Sequence, residues 1–551
     1  TVTAAGAVDS DTASAGRKLQ IVAADLALGD AVGSVNPLGS FSATVTGTST
    51  VGGNIQTDQV TSDATGNITF AGGGNIVFDS SSVIDSESGD DNDAGVIDFG
   101  TSPISATGPG INVTVDSSSV GFNSGSIDLA GADNAGGDFV NDLLLNAGAG
   151  TPADVNINGP TALSGTFTAL ADNFNQAAGG DVTTTNDTTS AISITAASAA
   201  NIQGLTAGAT AGRVAIVAGD AIVDADGDGH SGTTINITAF DASLVAANGI
   251  GSTDRLETQL SELSAENTTA GDIFIGNTGG LTLVNITPVI AGFAVLNSSP
   301  TGAITISASS PLTVAAAVSS GGTVTLTASD SAVAGDDLTI NATVDSTGAD
   351  VILNAGDDAY LNAAVTAATS VTINVDFGNA DPTVGGTANI GSTPITTANG
   401  AFVNGGVDDD TIILDPQTTT EFFVFGDSPV GTPTGDVLTI DVSGTTGPNL
   451  TVPGSTFPYD GPGSGVWSFT SGEQGVTYGS IEQLDVTGTY HLTYDNSVTM
   501  ATNLVVMRDA SMTNLQIRDG SNAGTVLFQG SLNTILSLTI NGQTGDETVT
   551  V

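Results

Sequence analysis

Between Gly302 and Asp376 the chain repeats itself. Three units lie end to end, and each opens on two apolar residues separated by one: Ile304/Ile306, Val324/Leu326 and Val351/Leu353, with Val371/Ile373 opening the next. These openings stand 20, 27 and 20 residues apart. Within the units Val314 and Val318, Ile340 and Val344, and Leu361 and Val365 occupy matched places four residues apart. The middle unit carries an insertion, because Leu326 to Ile340 spans 14 residues where the other two units use 8. Residues i and i+2 of a strand face the same way. One short strand with two apolar side chains cannot fold alone. Copies stacked on one another bury a continuous apolar column and pair their backbones with the laps above and below. Gly, Asn, Asp and Ser fall between the strands, where the chain must turn. The expected fold is all-β: a parallel β-helix, or solenoid, with one coil per unit.

The same grammar runs through the rest in three styles. Residues 1–190 read as irregular coils, in which GNITF (66–70), GNIVFD (74–79), GVIDFG (95–100) and GINVTVD (110–116) each enter a short strand from a turn. Residues 191–400 read as regular coils, with Ile192/Ile194, Val214/Ile216 and Ile235/Ile237 at intervals of 22 and 21. In RLETQLSELSAE (255–266), Leu256, Leu260 and Leu263 would share a helix face, but strands follow closely and a coil is preferred. Residues 401–551 hold the one Trp, all three Met and four of the five Tyr, and read as a C-terminal β module. Its opening, NGGVDDDTIIL (404–414), aligns with the final NGQTGDETVTV (541–551), as if a further repeat began at 541.

Charge narrows the partners. The chain has 58 acidic and 6 basic residues among 551, and only eight of the acids are Glu. Asp belongs to turns and to metal sites more than to helices, so the acidity is expected at the corners of the coils. One Lys and five Arg are too few for phosphate contacts, which argues against nucleic acid and anionic membranes as partners. The absence of Cys excludes thiolate metal sites and a cysteine nucleophile. No stretch approaches the ~20 apolar residues of a membrane span. Thr1 follows neither Met nor a basic leader, so the chain reads as mature or as cut from something longer.

Certain stretches resemble a known group. GDIFIGNTGGLTLV (271–284), with NGIGSTDRLETQLSELSAENT (248–268) before it and the repeated GxITI/GxVTL coils, resembles the filamentous-haemagglutinin-like and autotransporter-like surface proteins of bacteria. NGGVDDDTIIL and GVWSFTSGEQGVTYGSIEQLDVTG look like modules of very long surface proteins such as those of planctomycetes. The resemblance implies a right-handed β-helix displayed outside the cell as an adhesin or structural fibre.

The sharpest local motif is Asp224-Ala-Asp-Gly-Asp-Gly-His230. Asp224, Asp226 and Asp228, alternating with small residues, suit a loop around a hard cation such as Ca2+. The twelfth position of an EF-hand would be Ile235, so this is not an EF-hand; the alternative is a solvated acidic turn. Asp408, Asp409 and Asp410 precede a strand, as do Asp546 and Glu547, and are weaker candidates for the same ion. The acidic run 85–93 is another, whereas Asp336/Asp337 and Asp357/Asp358 read as turn residues. Asn67, Asn112, Asn236, Asn285 and Asn341 open N-x-T triplets, which are glycan acceptors where the machinery exists. Gly229-His230-Ser231 beside Asp226 and Asp228 faintly suggests a polysaccharide-acting enzyme, but no basic cluster is present to hold an acidic sugar, and no G-x-S-x-G, H-E-x-x-H or P-loop occurs. The expected role is therefore non-enzymatic: an extracellular subunit or segment of a cell-surface fibre or array, associating with itself through exposed coil ends. The alternative is the stalk of an adhesin that binds a cell-surface or polysaccharide ligand.

Overall fold

The computed structural model describes the chain apart from residues 12–15, 59–65, 90–92, 121, 149–152, 228, 230–233, 429–434, 457–458, 462, 500–502, 543–547 and 551. It is an all-β chain, and its strands stack into long parallel sheets as a β-helix. Among the described residues, the single turn Asn496–Thr499 is the helix present, and no helix is long and apolar enough to cross a membrane. The chain divides into two compact units, one of Thr1–Thr278 with Asn285–Ala291, the other of Gly279–Val284 with Gly292–Val551.

In the first unit each complete coil contributes up to three strands, one to each of three parallel columns. One column runs from Lys18–Ala23 through Ser40–Val45, Ile68–Ala71 and Ile127–Leu129 to Ile222–Asp224. Another runs from Ser82–Asp85 through Val113–Asp116, Phe167–Ala171 and Arg213–Ala218 to Glu262–Asn267. Alternation of Val, Ile and Thr with small polar residues suits a strand with one buried face, and Ile192–Ala196 shows it: Ile192, Ile194 and Ala196 are buried while Ser193 and Thr195 are not. Aromatic rings continue the columns inside, with Phe70 5.4 Å from Phe41 and 5.7 Å from Phe99. The stretch 255–266 forms two strands, Leu256–Gln259 and Glu262–Asn267, not a helix, and Leu256, Leu260 and Leu263 are buried.

The second unit holds the repeat that the sequence singles out. Ile304 pairs with Val324, Val324 with Val351, and Val351 with Val371, so the unit openings stand one above another. Val314, Ile340 and Leu361 form a second inward row, and Val318, Val344 and Val365 a third. All of these side chains are buried. The rows belong to different strands, since the chain turns at 315–316 between Leu312–Val314 and Ala317–Ser320. Outside the apolar rows runs a ladder of amides. Asn404 donates to Asn374 and Asn374 to Asn354, each at 2.7 Å. Towards the C-terminal end of the sequence antiparallel pairing enters: Asn449–Val452 with Gly465–Ser468, and Asn514–Asp519 with both Asn503–Arg508 and Val526–Ser531. Trp467 is fully buried there, 5.0 Å edge-on from Tyr490.

Candidate functional site

With the apolar rows inside and the backbone committed to the ladders, chemistry is left to the corners, where Asp gathers. In the first unit the strand Ile222–Asp224 delivers Asp224 to a corner with only 6% of its surface exposed. One carboxylate oxygen, Oδ1, accepts the backbone N–H of Asp226 at 2.9 Å and the side-chain amide of Asn236 at 2.8 Å. The other, Oδ2, is buried without a hydrogen-bond donor. Carboxylate oxygens of Asp224, Asp226 and Asp254 come within 4.8 Å of one another. Asp254 arrives from the next coil, and its Oδ2 accepts the backbone N–H of Gly229 at 3.0 Å. Two of the three aspartates in the sequence motif thus converge with a third acid that the motif does not contain. Asp228 and His230 lie outside the described residues. Arg255, beside Asp254 in the chain, pairs with Glu257 at 2.9 Å.

Asn236 is the keystone of this corner. Its Nδ2 bonds Asp224, its Oδ1 accepts the backbone N–H of Glu257 at 2.8 Å, and the residue is fully buried, which removes it as a glycan acceptor in the folded chain. Truncation would orphan the buried N–H of Glu257 and strip the buried Asp224 carboxylate of its side-chain donor, leaving it the Asp226 N–H, and a lost partner of this kind costs about 1–3 kcal/mol. Asn236→Ala is therefore expected to lower stability by roughly 2–4 kcal/mol, read from the midpoint of urea unfolding.

The Asp408–Asp410 run does not converge on one point. Asp408 accepts the backbone N–H of Thr383 through Oδ2 at 2.9 Å, Asp409 is exposed, and Asp410 is fully buried. Asp410 belongs instead to a column that the sequence pattern does not display. Leu338, Ala359, Ala388, Ile412, Leu438 and Leu484 stand in register on successive laps. Two residues before each stand Asp336, Asp357, Gly386, Asp410, Asp436 and Glu482. The acids are tied lap to lap by their own backbones: Gly386 N–H donates to Asp410 at 2.6 Å, Asp410 N–H to Asp436 at 2.8 Å, and Asp436 N–H to Glu482 at 2.9 Å. Burial pushes the Asp410 carboxyl up to about 8, reinforced by the charges of Asp436, Asp376 and Asp408. Burial likewise raises Asp436 to about 7, with Glu482 and Asp409 repelling it.

A second convergence lies beside this column. Oxygens of Asp330, Asp376 and Asp381 fall within 4.8 Å of one another. The sequence offers little sign of it, because the three acids come from two corners separated by a complete lap. Of the remaining candidates, Asp85 accepts the backbone N–H of Glu87 at 3.0 Å, as an acidic turn does, while residues 90–92, Asp546 and Glu547 lie outside the described residues.

Fold and corners together define a class: a parallel β-helix with, among the described residues, two carboxylate clusters able to hold a metal ion. No protein-family model, curated protein or solved structure matches the chain.

Proposed function

We propose that the chain is a structural segment of an extracellular, cell-surface fibre or array, with Ca2+ held at its acidic corners. The observation that carries this reading is the unbroken register of the inward rows, such as Ile304–Val324–Val351–Val371. A polypeptide that commits each lap to the next suits a scaffold, in which stiffness comes from stacking. The resemblance to filamentous-haemagglutinin-like and autotransporter-like surface proteins points the same way. For Asp224, Asp226 and Asp254, an all-carboxylate set with a buried, donorless oxygen suits a hard cation with oxygen ligands. The strongly negative chain repels its own copies, and a divalent ion at the corners lowers that repulsion. Assembly is then expected to depend on Ca2+.

Negative-stain microscopy and sedimentation of the full chain, with millimolar CaCl2 and again with chelator, test the reading. Periodic filaments or sheets that dissolve in chelator are expected. Separate particles at every protein concentration, with and without Ca2+, would sink the assembly role. That outcome favours the second reading, the stalk of an adhesin. A cleft of about 970 Å3 in the second unit supports this alternative, lined among others by Tyr478, Glu482, Gln483, Tyr490 and Phe528, a mixture of rings and polar groups suited to a sugar chain.

A further inference from the structure

In the second unit a short corner lies between two long ones. Residues 356–358 suffice to join Val351–Ala355 to Ala359–Leu361. On the preceding lap residues 329–337 make the same connection, and on the following lap residues 375–386 make it. The long corners reach each other across the short one. Gly356 makes room for the crossing, since a Cβ there would lie 2.6 Å from Asp330 Cα and 2.9 Å from Asp336 Cβ. Gly378, at φ +130°, does so from the other side, where a Cβ would stand 2.9 Å from that of Asp330. Asp330 Oδ2 accepts the backbone N–H of Ala380, fifty residues further along the chain.

This crossing gathers acids and leaves them poorly satisfied. Asp376 is 5% exposed; its Oδ2 accepts the Val407 N–H at 3.0 Å, while its Oδ1 is buried and meets no donor. Asp330 Oδ1 and Asp357 Oδ1 are also buried without a donor, and neither oxygen of Asp381 receives a hydrogen bond from another residue. Asp381 is repelled by both Asp357 and Asp330. A basic side chain is the usual answer to such a cluster, yet the sequence has no Lys or Arg between Arg255 and Arg508. A proton or a cation from solution is left to balance the charge.

We infer that Asp330, Asp376 and Asp381 bind a hard divalent cation, Ca2+ by the irregularity of the corner that supplies two of the ligands, and that the ion fastens the two long corners together over Gly356. The donors are all carboxylate oxygens, the preference of Ca2+ and Mg2+. The irregular corner 375–386, with Asp376, Asn379 and Thr383 at positive φ, favours the ion with the more tolerant geometry. The site is separate from the Asp224 cluster and stands whether or not the chain assembles.

Hydrogen exchange and calcium-binding stoichiometry on the full chain, after chelation at neutral pH, test it. Saturating CaCl2 is expected to slow amide exchange in 329–337 and 375–386 at least tenfold, and MgCl2 at the same concentration to do less. The pair Asp330→Asn with Asp381→Asn should remove that protection and one bound Ca2+ per chain. Asp224→Asn should leave the protection intact. Wild-type exchange in both corners that ignores Ca2+ would overturn the site, and this result needs no variant to fold. Unchanged stoichiometry and protection in a folded double variant would overturn it equally. Protection by Mg2+ matching that by Ca2+ would overturn the choice of ion.

Discussion

Between about pH 4 and pH 8, in chelator, the folded chain is expected to lose several kcal/mol of stability as the solution becomes more alkaline. The cause is the column at Asp410 and Asp436, whose carboxyls are raised to about 8 and about 7 by burial and by neighbouring acids. A carboxyl whose folded pKa exceeds its unfolded one binds its proton more tightly in the native state. Its contribution is complete below the unfolded value near 4 and is lost as pH climbs through the folded value. For Asp410, about 8 against an ordinary 3.8 corresponds to an upper bound on the order of 6 kcal/mol at high pH. Groups of the opposite sign set the acid side. Asp350, held below the usual carboxylate range by the hydroxyls of Ser370 and Thr369, loses its contribution as pH falls through its depressed value. The optimum should therefore lie on the mildly acidic side of neutrality.

The column and the general negative charge act in the same direction, so a variant has to separate them. Asp410→Asn with Asp436→Asn keeps the oxygens that accept the N–H groups of Gly386 and Asp410, and removes the two titrations. The double variant is expected to match the wild type near pH 4 and to exceed it by several kcal/mol at pH 8, in urea unfolding followed by circular dichroism. Parallel pH profiles for the two proteins would show that the column does not titrate in this range.

The aliphatic rows were open to a reader of the sequence because lap length and the two-residue period act together. Ile304, Val324 and Val351 needed only counting. The carboxylate column needed register. Asp410, Asp436 and Glu482 are separated by 26 and then 46 residues, and the excursion through Asn449–Val452 and Gly465–Ser468 hides the last step. Three consecutive aspartates at 408–410 look like one site, yet they face different surroundings. Asp254 was legible only as an acid about one lap beyond Asp226, inside a stretch notable for other reasons. The amide ladder did leave a trace: Asn354, Asn374 and Asn404 each follow an inward residue, Val351, Val371 or Ala401, by three. Read singly, an Asn is a turn former; read at lap spacing, it is a ladder. The meeting of Asp330 with Asp381 left no trace, because it depends on two corners crossing a third.

Leu353→Asp should be among the most damaging single changes in the second unit, and its damage should be local. Leu353 is fully buried between Leu326 of the preceding lap and Ile373 of the following one. Truncation of such a leucine to Ala costs about 2–5 kcal/mol, and an Asp adds a carboxylate with no partner in an apolar row, so the loss should exceed 5 kcal/mol, roughly, at neutral pH. Part of it should return near pH 4, where the carboxyl can enter the core neutral. Ile352→Asp, one residue away on the half-buried outer face, should cost about 1 kcal/mol or less. In a stack held by nearest-neighbour contacts, the break spreads first to the adjoining laps. Hydrogen exchange should therefore quicken most in Val324–Ala328 and Val371–Asn374, which pair directly with the damaged strand, and least in Gln483–Thr487. In calorimetry the variant's unit should melt in two transitions. A uniform rise in exchange along the unit, with one transition at a lower temperature, would mean that the laps melt as a single cooperative block and that the one-dimensional account of this solenoid is wrong.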